Sequence, residues 1–231
     1  MKARGLFVTG TDTGVGKTLI ACALVRGFVS LGYRVAVMKP VASGSEVTPG
    51  GLRNADALAL MACASLPLSY EQVNPYCFEP PISPHIAAKE ARIEVDIGKI
   101  VRGYEALTSR ADWVVVEGAG GWFAPINDHQ TMADLAWALS IPVLMVVGLK
   151  LGCLNHAHLT RQAIEAHGVS FAGWVASGID AAMERGDENL AALERLLGEP
   201  PLAIIPHAPK KLATLVLSEV ASRLPRATIS F

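Results

Sequence analysis

Cysteine is scarce in this chain, and what there is follows no pattern. Cys22, Cys63, Cys77 and Cys153 show no C-x-x-C spacing, which argues against a zinc site or a disulfide framework. Scattered reduced thiols fit a cytoplasmic setting. Charge of either sign is not in excess: 20 basic against 21 acidic residues give a net charge of −1. Nothing in that balance suggests a nucleic-acid surface or a polybasic membrane patch. Long apolar runs are missing too. The opening MKARGLFVTGTD carries basic residues, but its apolar run ends too soon for a signal peptide. The longest later run, Ile141 to Leu149, is far short of the ~20 residues that span a bilayer. Histidines offer no metal spacing. His156 and His158 are two apart on a predicted helix and face different directions, and His85, His129, His167 and His207 stand without partners. No repeat, low-complexity tract or linker divides the chain, so residues 1–231 read as one domain.

What is present starts at Gly10–Thr18, GTDTGVGKT, directly after an apolar run and before a helical pattern. A glycine-rich turn ending in Gly-Lys-Thr builds a cradle of backbone N–H groups for phosphates. Lys17 would reach the terminal phosphates and the Thr18 hydroxyl would ligate Mg²⁺. The next helix aims its N-terminal partial charge at the same anion. The loop is one residue longer than the common G-x4-G-K-[ST] spacing, because position 11 is threonine. The competing reading is a plain strand-to-helix turn with a solvated lysine.

Apolar residues make up 51% of the chain, and short apolar runs alternate with amphipathic segments. The runs Leu6–Thr9, Arg34–Lys39, Trp113–Glu117, Pro142–Val147, Ala172–Ser177 and Leu202–Ile205 read as strands buried on both faces. Helical patterns occupy Lys17–Leu31, Ala55–Ala64, Ile97–Ser109, Met132–Leu139, His156–His167, Glu188–Leu197 and Lys211–Arg223. The alternation implies an α/β, three-layer, P-loop NTPase-like fold. Its mostly parallel central sheet of six to eight strands is covered by helices on both faces. Pro40 to Pro84 is the exception, rich in Pro, Gly and Ser and holding one short helix, and reads as a functional loop region.

Ligands of such sheets bind outside the carboxyl ends of the strands. The second strand ends at Lys39 in MKPVASG, and the third ends at Glu117 in VVVEGAGG. Glu117 is placed like a Walker-B acid, or caps a strand at the surface. Gly118, Ala119, Gly120 and Gly121 let the backbone approach a ligand closely. Lys39 either stabilises a transferring phosphoryl group or snorkels from a strand end. Asp56, in RNADALAL, serves equally as a helix cap or a metal ligand.

Taken in order, these pieces resemble the dethiobiotin synthetases over nearly the whole chain. GTDTGVGKT, MKPVASG, NADAL, PISPHIAA from Pro81 to Ala88, VVVEGAGG, KLGCLNHA from Lys150 to Ala157, and AGWVAS before Asp180 carry the likeness. The resemblance implies an ATP-dependent ring closure on 7,8-diaminononanoate and CO₂, through a carbamate and a carbamic-phosphoric anhydride. It needs no protein nucleophile. By position it implies a nucleotide site of Gly14, Val15, Gly16, Lys17, Thr18, Leu19, Asp56, Glu117, Gly118, Ala119 and Gly120. The base pocket would be Ser177 and Gly178 on one side and Pro206, His207 and Ala208 on the other. Thr18, Asp56 and Glu117 would hold Mg²⁺, and Lys39 would be the catalytic residue. Thr13, Ser43 and Gly121 would meet the substrate. Gly152, Cys153, Leu154 and Asn155 would receive its carboxylate across a homodimer interface, with Asn155 starting a helix. Cys153 then serves as a small residue in a tight turn.

Two departures from the family pattern stand out. Gly14 replaces a glutamate that some members carry, and Ser177 replaces a common asparagine that hydrogen-bonds adenine. A hydroxyl offers less than an amide's paired donor and acceptor, so a relaxed base preference is expected. Two alternatives share parts of the pattern. Amide-forming synthetases acting on corrinoid precursors usually add a glutaminase region, for which no room remains. Partitioning-type switch ATPases would place a second lysine near position 11 or 12, where Thr11 and Asp12 stand. A GTPase would want Asn-Lys-x-Asp, and only Asp180 is present.

Overall fold

The computed structural model describes residues 3–207 and Val220. In chain order, β1 (Arg4–Gly10) turns into α1 (Lys17–Ser30), followed by β2 (Val35–Met38). Then come β3 (Val41–Ala42), β4 (Glu46–Thr48), β5 (Gly51–Arg53), α2 (Ala55–Met61), α3 (Tyr70–Val73), β6 (Tyr76–Cys77) and α4 (Pro84–Glu90). The rest alternates: α5 (Ile97–Thr108), β7 (Trp113–Glu117), α6 (Met132–Leu139), β8 (Val143–Leu149), α7 (Cys153–Ala166), β9 (Phe171–Gly178), α8 (Gly186–Leu197) and β10 (Ala203–Ile205). The expected helix Lys211–Arg223 and Ala208 lie outside the described residues, Val220 apart.

Six strands form one parallel sheet in the order β10-β9-β8-β1-β7-β2. Each of the six predicted strands is there. β1 sits in the middle because it can be buried on both faces. Phe7 packs on one side, among residues of α5, α6 and α7, while Leu6 and Val8 pack on the other, under α1 and α2. This alternation is the two-residue period of a strand. Phe28 of α1 stacks on Trp113 of β7, with ring centroids 4.2 Å apart, and fixes the helix over the sheet.

The register decides what meets at the carboxyl edge. Val8 pairs with Glu117, and Met38 pairs with Val116. The turn after β1 and the residues Lys39 and Glu117 therefore reach the same height. The chain leaves β1 toward β2 and β7 on one side and β8 on the other, so this edge is the topological switch point.

The segment 40–84 is more structured than the one short helix expected. β3 pairs with β6 in parallel and β4 pairs with β5 as an antiparallel ribbon. Two helices, α2 and α3, lie within it, and α4 begins at Pro84. Proline at a first helical position loses nothing, since that N–H has no intrahelical partner. The α7 helix begins at Cys153, not at His156, because Gly152 takes a left-handed φ of 94° and serves as its N-cap.

Candidate active site

The turn between β1 and α1 is shaped by its glycines. Gly16, the N-cap of α1, has φ 93°, and a Cβ there would come within 2.9 Å of Ser177 Oγ. Only glycine fits this position without strain. The first turn of α1 carries no acidic residue, so its free N–H groups stay available to an external anion. Lys17 is buried, and its Nζ donates to the Asp12 carbonyl at 2.9 Å. Burial, and then the positive charge of Lys39, lower its pKa to about 8. Val15 is fully buried and offers a ligand only its backbone. Leu19 is half-buried against the core.

Lys39 is delivered by the end of β2 and is 4% exposed. Its ammonium lies 2.6 Å from Glu117 Oε1 and 2.9 Å from Asp56 Oδ2. Burial alone would depress its pKa, but the two carboxylates outweigh burial and raise it. Lys39 is thus held as a cation. Burial pushes the Asp56 carboxyl up, but the Lys39 charge and hydrogen bond win and lower it.

Asp56 is not the helix cap. Asn54 caps α2, its side-chain oxygen accepting from the N–H groups of Asp56 and Ala57 at 3.1 and 3.4 Å. That leaves the Asp56 carboxylate free to face Lys39. Thr18 Oγ1 donates to Glu117 Oε1 at 2.8 Å. The other oxygen of Glu117, Oε2, is buried without a partner. A buried carboxylate oxygen left bare is costly, and it fits a site completed by a cation. Among the described residues no group of three or more His, Cys, Asp or Glu side chains is arranged to hold a metal ion. Mg²⁺ does not require one, since it takes one or two carboxylates and keeps its waters.

These groups surround a cavity of about 720 Å³. Its lining includes Thr13, Gly14, Gly16, Lys17, Thr18, Lys39, Asp56 and Glu117, together with Ser43, Asn54, Ala119, Gly120 and Gly121. Ala42, Pro81, Ile82, Pro84, Ala124 and Pro125 form an apolar wall. The sequence marks 40–84 only as a functional loop region and does not single out these residues, because Ala42, Pro81, Ile82 and Pro84 gain the role from what they face once the segment folds. Gly118 is buried next to Lys39, its carbonyl 3.4 Å from Nζ.

Other expected site residues lie outside this cavity. Ser177 is buried at the end of β9 beside Gly16. Gly178 touches the backbone of Pro206 and His207 so closely that a Cβ would sit 2.7 Å from the His207 nitrogen. The two predicted walls of the base pocket are thereby neighbours. Gly152, Cys153, Leu154 and Asn155 do not line the cavity; Gly152 and Asn155 are exposed and Cys153 is buried. Asn155 is the third residue of α7, not its start. An unanticipated pair joins this turn to the phosphate loop: Lys150 Nζ lies 2.8 Å from Asp12 Oδ2.

Fold, glycine turn and strand-end acid define a P-loop nucleotide-dependent enzyme. A family model described as an AAA domain matches residues 4–213. The structure resembles the MinC:MinD cell division protein complex of Aquifex aeolicus, with TM-score 0.63 and 17% identity over 99% of this chain and 98% of that one. It also resembles a ParA family ATPase from Chlorobium tepidum TLS, with TM-score 0.56 and 14% identity over 96% and 93% of the two chains. These likenesses concern the fold alone. In sequence the chain is 50% identical to the ATP-dependent dethiobiotin synthetase BioD 1 of Escherichia coli (strain K12), over 87% of this chain and 89% of that protein. It is 51% identical to BioD of Pseudomonas paraeruginosa, over 87% and 89%. The chain belongs to the ATP-dependent dethiobiotin synthetases, ligases of biotin biosynthesis.

Proposed function

We propose that this chain closes the ureido ring of dethiobiotin from 7,8-diaminononanoate, CO₂ and ATP. One amine adds to CO₂ and loses a proton, giving a carbamate. A carbamate oxygen attacks the γ-phosphorus and ADP leaves. The second amine then attacks the carbonyl carbon of the mixed anhydride, and phosphate leaves. Every bond is made between substrate atoms, so the protein supplies position and charge.

The observation that carries this reading is the mixed lining of the cavity. It joins the phosphate loop and a buried cation to apolar residues suited to an alkyl chain. Lys17 holds the β- and γ-phosphates. Lys39, kept charged by Glu117 and Asp56, stabilises the carbamate and the phosphoryl group in transfer. Thr18, Asp56 and Glu117 hold Mg²⁺, which screens the phosphate charges when bound. Thr13, Ser43 and Gly121 meet the carbamate end of the substrate. Ser177, Gly178, Pro206 and His207 enclose the base.

The substrate carboxylate is received by Gly152 to Asn155 of a second protomer. Two features support this: those residues avoid the chain's own cavity, and Leu151 beside them is 93% exposed. We place the enzyme in the cytoplasm. No helix among the described residues is long and apolar enough to cross a membrane.

The test is to mix the protein with diaminononanoate, bicarbonate, Mg²⁺ and ATP and detect the cyclic urea by mass. Phosphate release that ignores the diamine would overturn the reading in favour of a switch ATPase.

A further inference from the structure

Beside the cavity lies a buried polar cluster that meets the cavity's lining through Asn54. Its hub is the Tyr70 hydroxyl, on α3. That hydroxyl accepts the Asn54 backbone N–H at 2.6 Å and donates to Asn74 Oδ1 at 2.9 Å. Asn74 in turn donates from Nδ2 to the Lys39 carbonyl at 2.7 Å and to the Tyr76 carbonyl at 3.0 Å. Asn54 caps α2, which carries Asp56, and donates from Nδ2 to the Ser43 carbonyl at 3.2 Å. Asn54, Asn74 and Tyr70 are each less than 9% exposed.

Each end of this cluster thus grips the backbone of a residue in the site. One end holds Lys39 and the other holds Asp56 and Ser43, so the hydroxyl between them sets their separation. The Lys39 N–H is tied from the same side, to the Val73 carbonyl at 2.8 Å. A long side chain on a strand end has many rotamers, and its ammonium is placed no better than its Cα. Fully paired buried networks are rigid, and an error of about 1 Å at a reacting centre costs on the order of 10² in rate.

We infer that Tyr70 and Asn74 are positioning residues for the phosphoryl-transfer step, holding the Lys39 ammonium in register with Asp56 and Ser43. This rests on the catalytic role proposed for Lys39. Neither residue touches the phosphate loop, which is held by β1 and α1. Loss of the hydroxyl therefore acts more on turnover than on ATP binding, which it reaches only through Asp56.

Tyr70→Phe removes only the hydroxyl and keeps the ring that Arg53 stacks on, 4.1 Å from its centroid. In the full-length enzyme, kcat should fall about tenfold while KM for ATP changes less than about threefold. Asn74→Asp keeps the acceptor for Tyr70 but loses both donors, and should show the same split should Tyr70→Phe fail to fold. In a Lys39→Ala background, Tyr70→Phe should cost less than about twofold more, since residues acting through one another are not additive. A role in stability alone would lower the melting temperature and leave kcat per folded molecule unchanged, which overturns the proposal. An additive loss in the double variant overturns it as well. If Lys39→Ala alone keeps near-normal turnover, the role of Lys39 fails first, and that of Tyr70 with it.

Discussion

The phosphate loop and the 40–84 segment face one cavity, yet they place their functional groups by different physics. The loop works over a few residues: Gly16 takes a left-handed φ, α1 starts, and Lys17 and Thr18 are in place. The 40–84 segment works at a distance. Asn74 reaches Lys39 across 35 residues of chain, and Tyr70 reaches Asn54 across 16. The loop presents backbone N–H groups, which no substitution but proline deletes. The segment presents side chains held by other side chains, each of which a single substitution removes. A local device is robust and readable; a long-range one is adjustable and hidden.

The comparison breaks most severely at Lys39. Lys39→Ala should lower turnover by on the order of 10²–10³, as expected for one electrostatic donor at a reacting group. It also leaves Glu117, which is fully buried, without its counter-charge. A loss of about 3–5 kcal/mol in denaturant unfolding should accompany it. Near-normal turnover would remove Lys39 from its role.

Gly16→Ala attacks the loop side instead. The left-handed φ and the contact with Ser177 Oγ should cost about 1–3 kcal/mol of stability. The loss should fall on ATP binding, with KM for ATP raised and the diamine's KM unchanged. Equal effects on both substrates would erase the distinction between the two regions. On the other side, Asn54→Ala should cost about 1–2 kcal/mol as a lost helix cap. Here kcat should suffer more than KM for ATP.

A pH series sharpens the comparison at Lys17. Its ammonium is charged below a pKa of about 8 and neutral above it. Affinity for ATP should therefore weaken as pH rises through about 8, and binding near pH ~9 should take up protons. Calorimetry in buffers of different ionisation enthalpy reads this directly. For the ligand-free fold the sign is opposite. The unfolded chain binds more protons between about 8 and the ordinary 10.5, so this group's contribution to stability rises with pH across that window. A pH-independent ATP affinity from 7 to about 9 would contradict the buried setting of Lys17.

The smallest effect is expected at the base. With Ser177 in place of an amide, GTP and CTP should support turnover within about tenfold of ATP. Strict ATP dependence would show that the base is read elsewhere.

Much of this was legible in the chain. The six strands were readable because burial on both faces demands unbroken apolar runs, as in Leu6–Val8 and Trp113–Val116. Lys39 and Glu117 were readable as strand-end groups at a switch point. The role of Asp56 was open between cap and ligand. A signal was there, since Asn54 two residues earlier is itself a preferred N-cap. The ribbons β3–β6 and β4–β5, the helix α3 and the apolar wall were not legible. Strands of two or three residues carry no measurable period, and Pro81 or Ile82 acquires a role only from what it faces.

The amino-acid sequence by itself determined the strand order's raw material, the phosphate loop and the family, because each depends on residue types at short fixed spacings. Only the tertiary structure decided that Lys39 sits as a cation between two carboxylates. It alone decided that Glu117 keeps one oxygen bare, and that Tyr70 and Asn74 stand behind them. Those facts depend on burial and on bonds between residues far apart in the chain. In a low-dielectric interior such bonds set charge and position, and no local spacing records them.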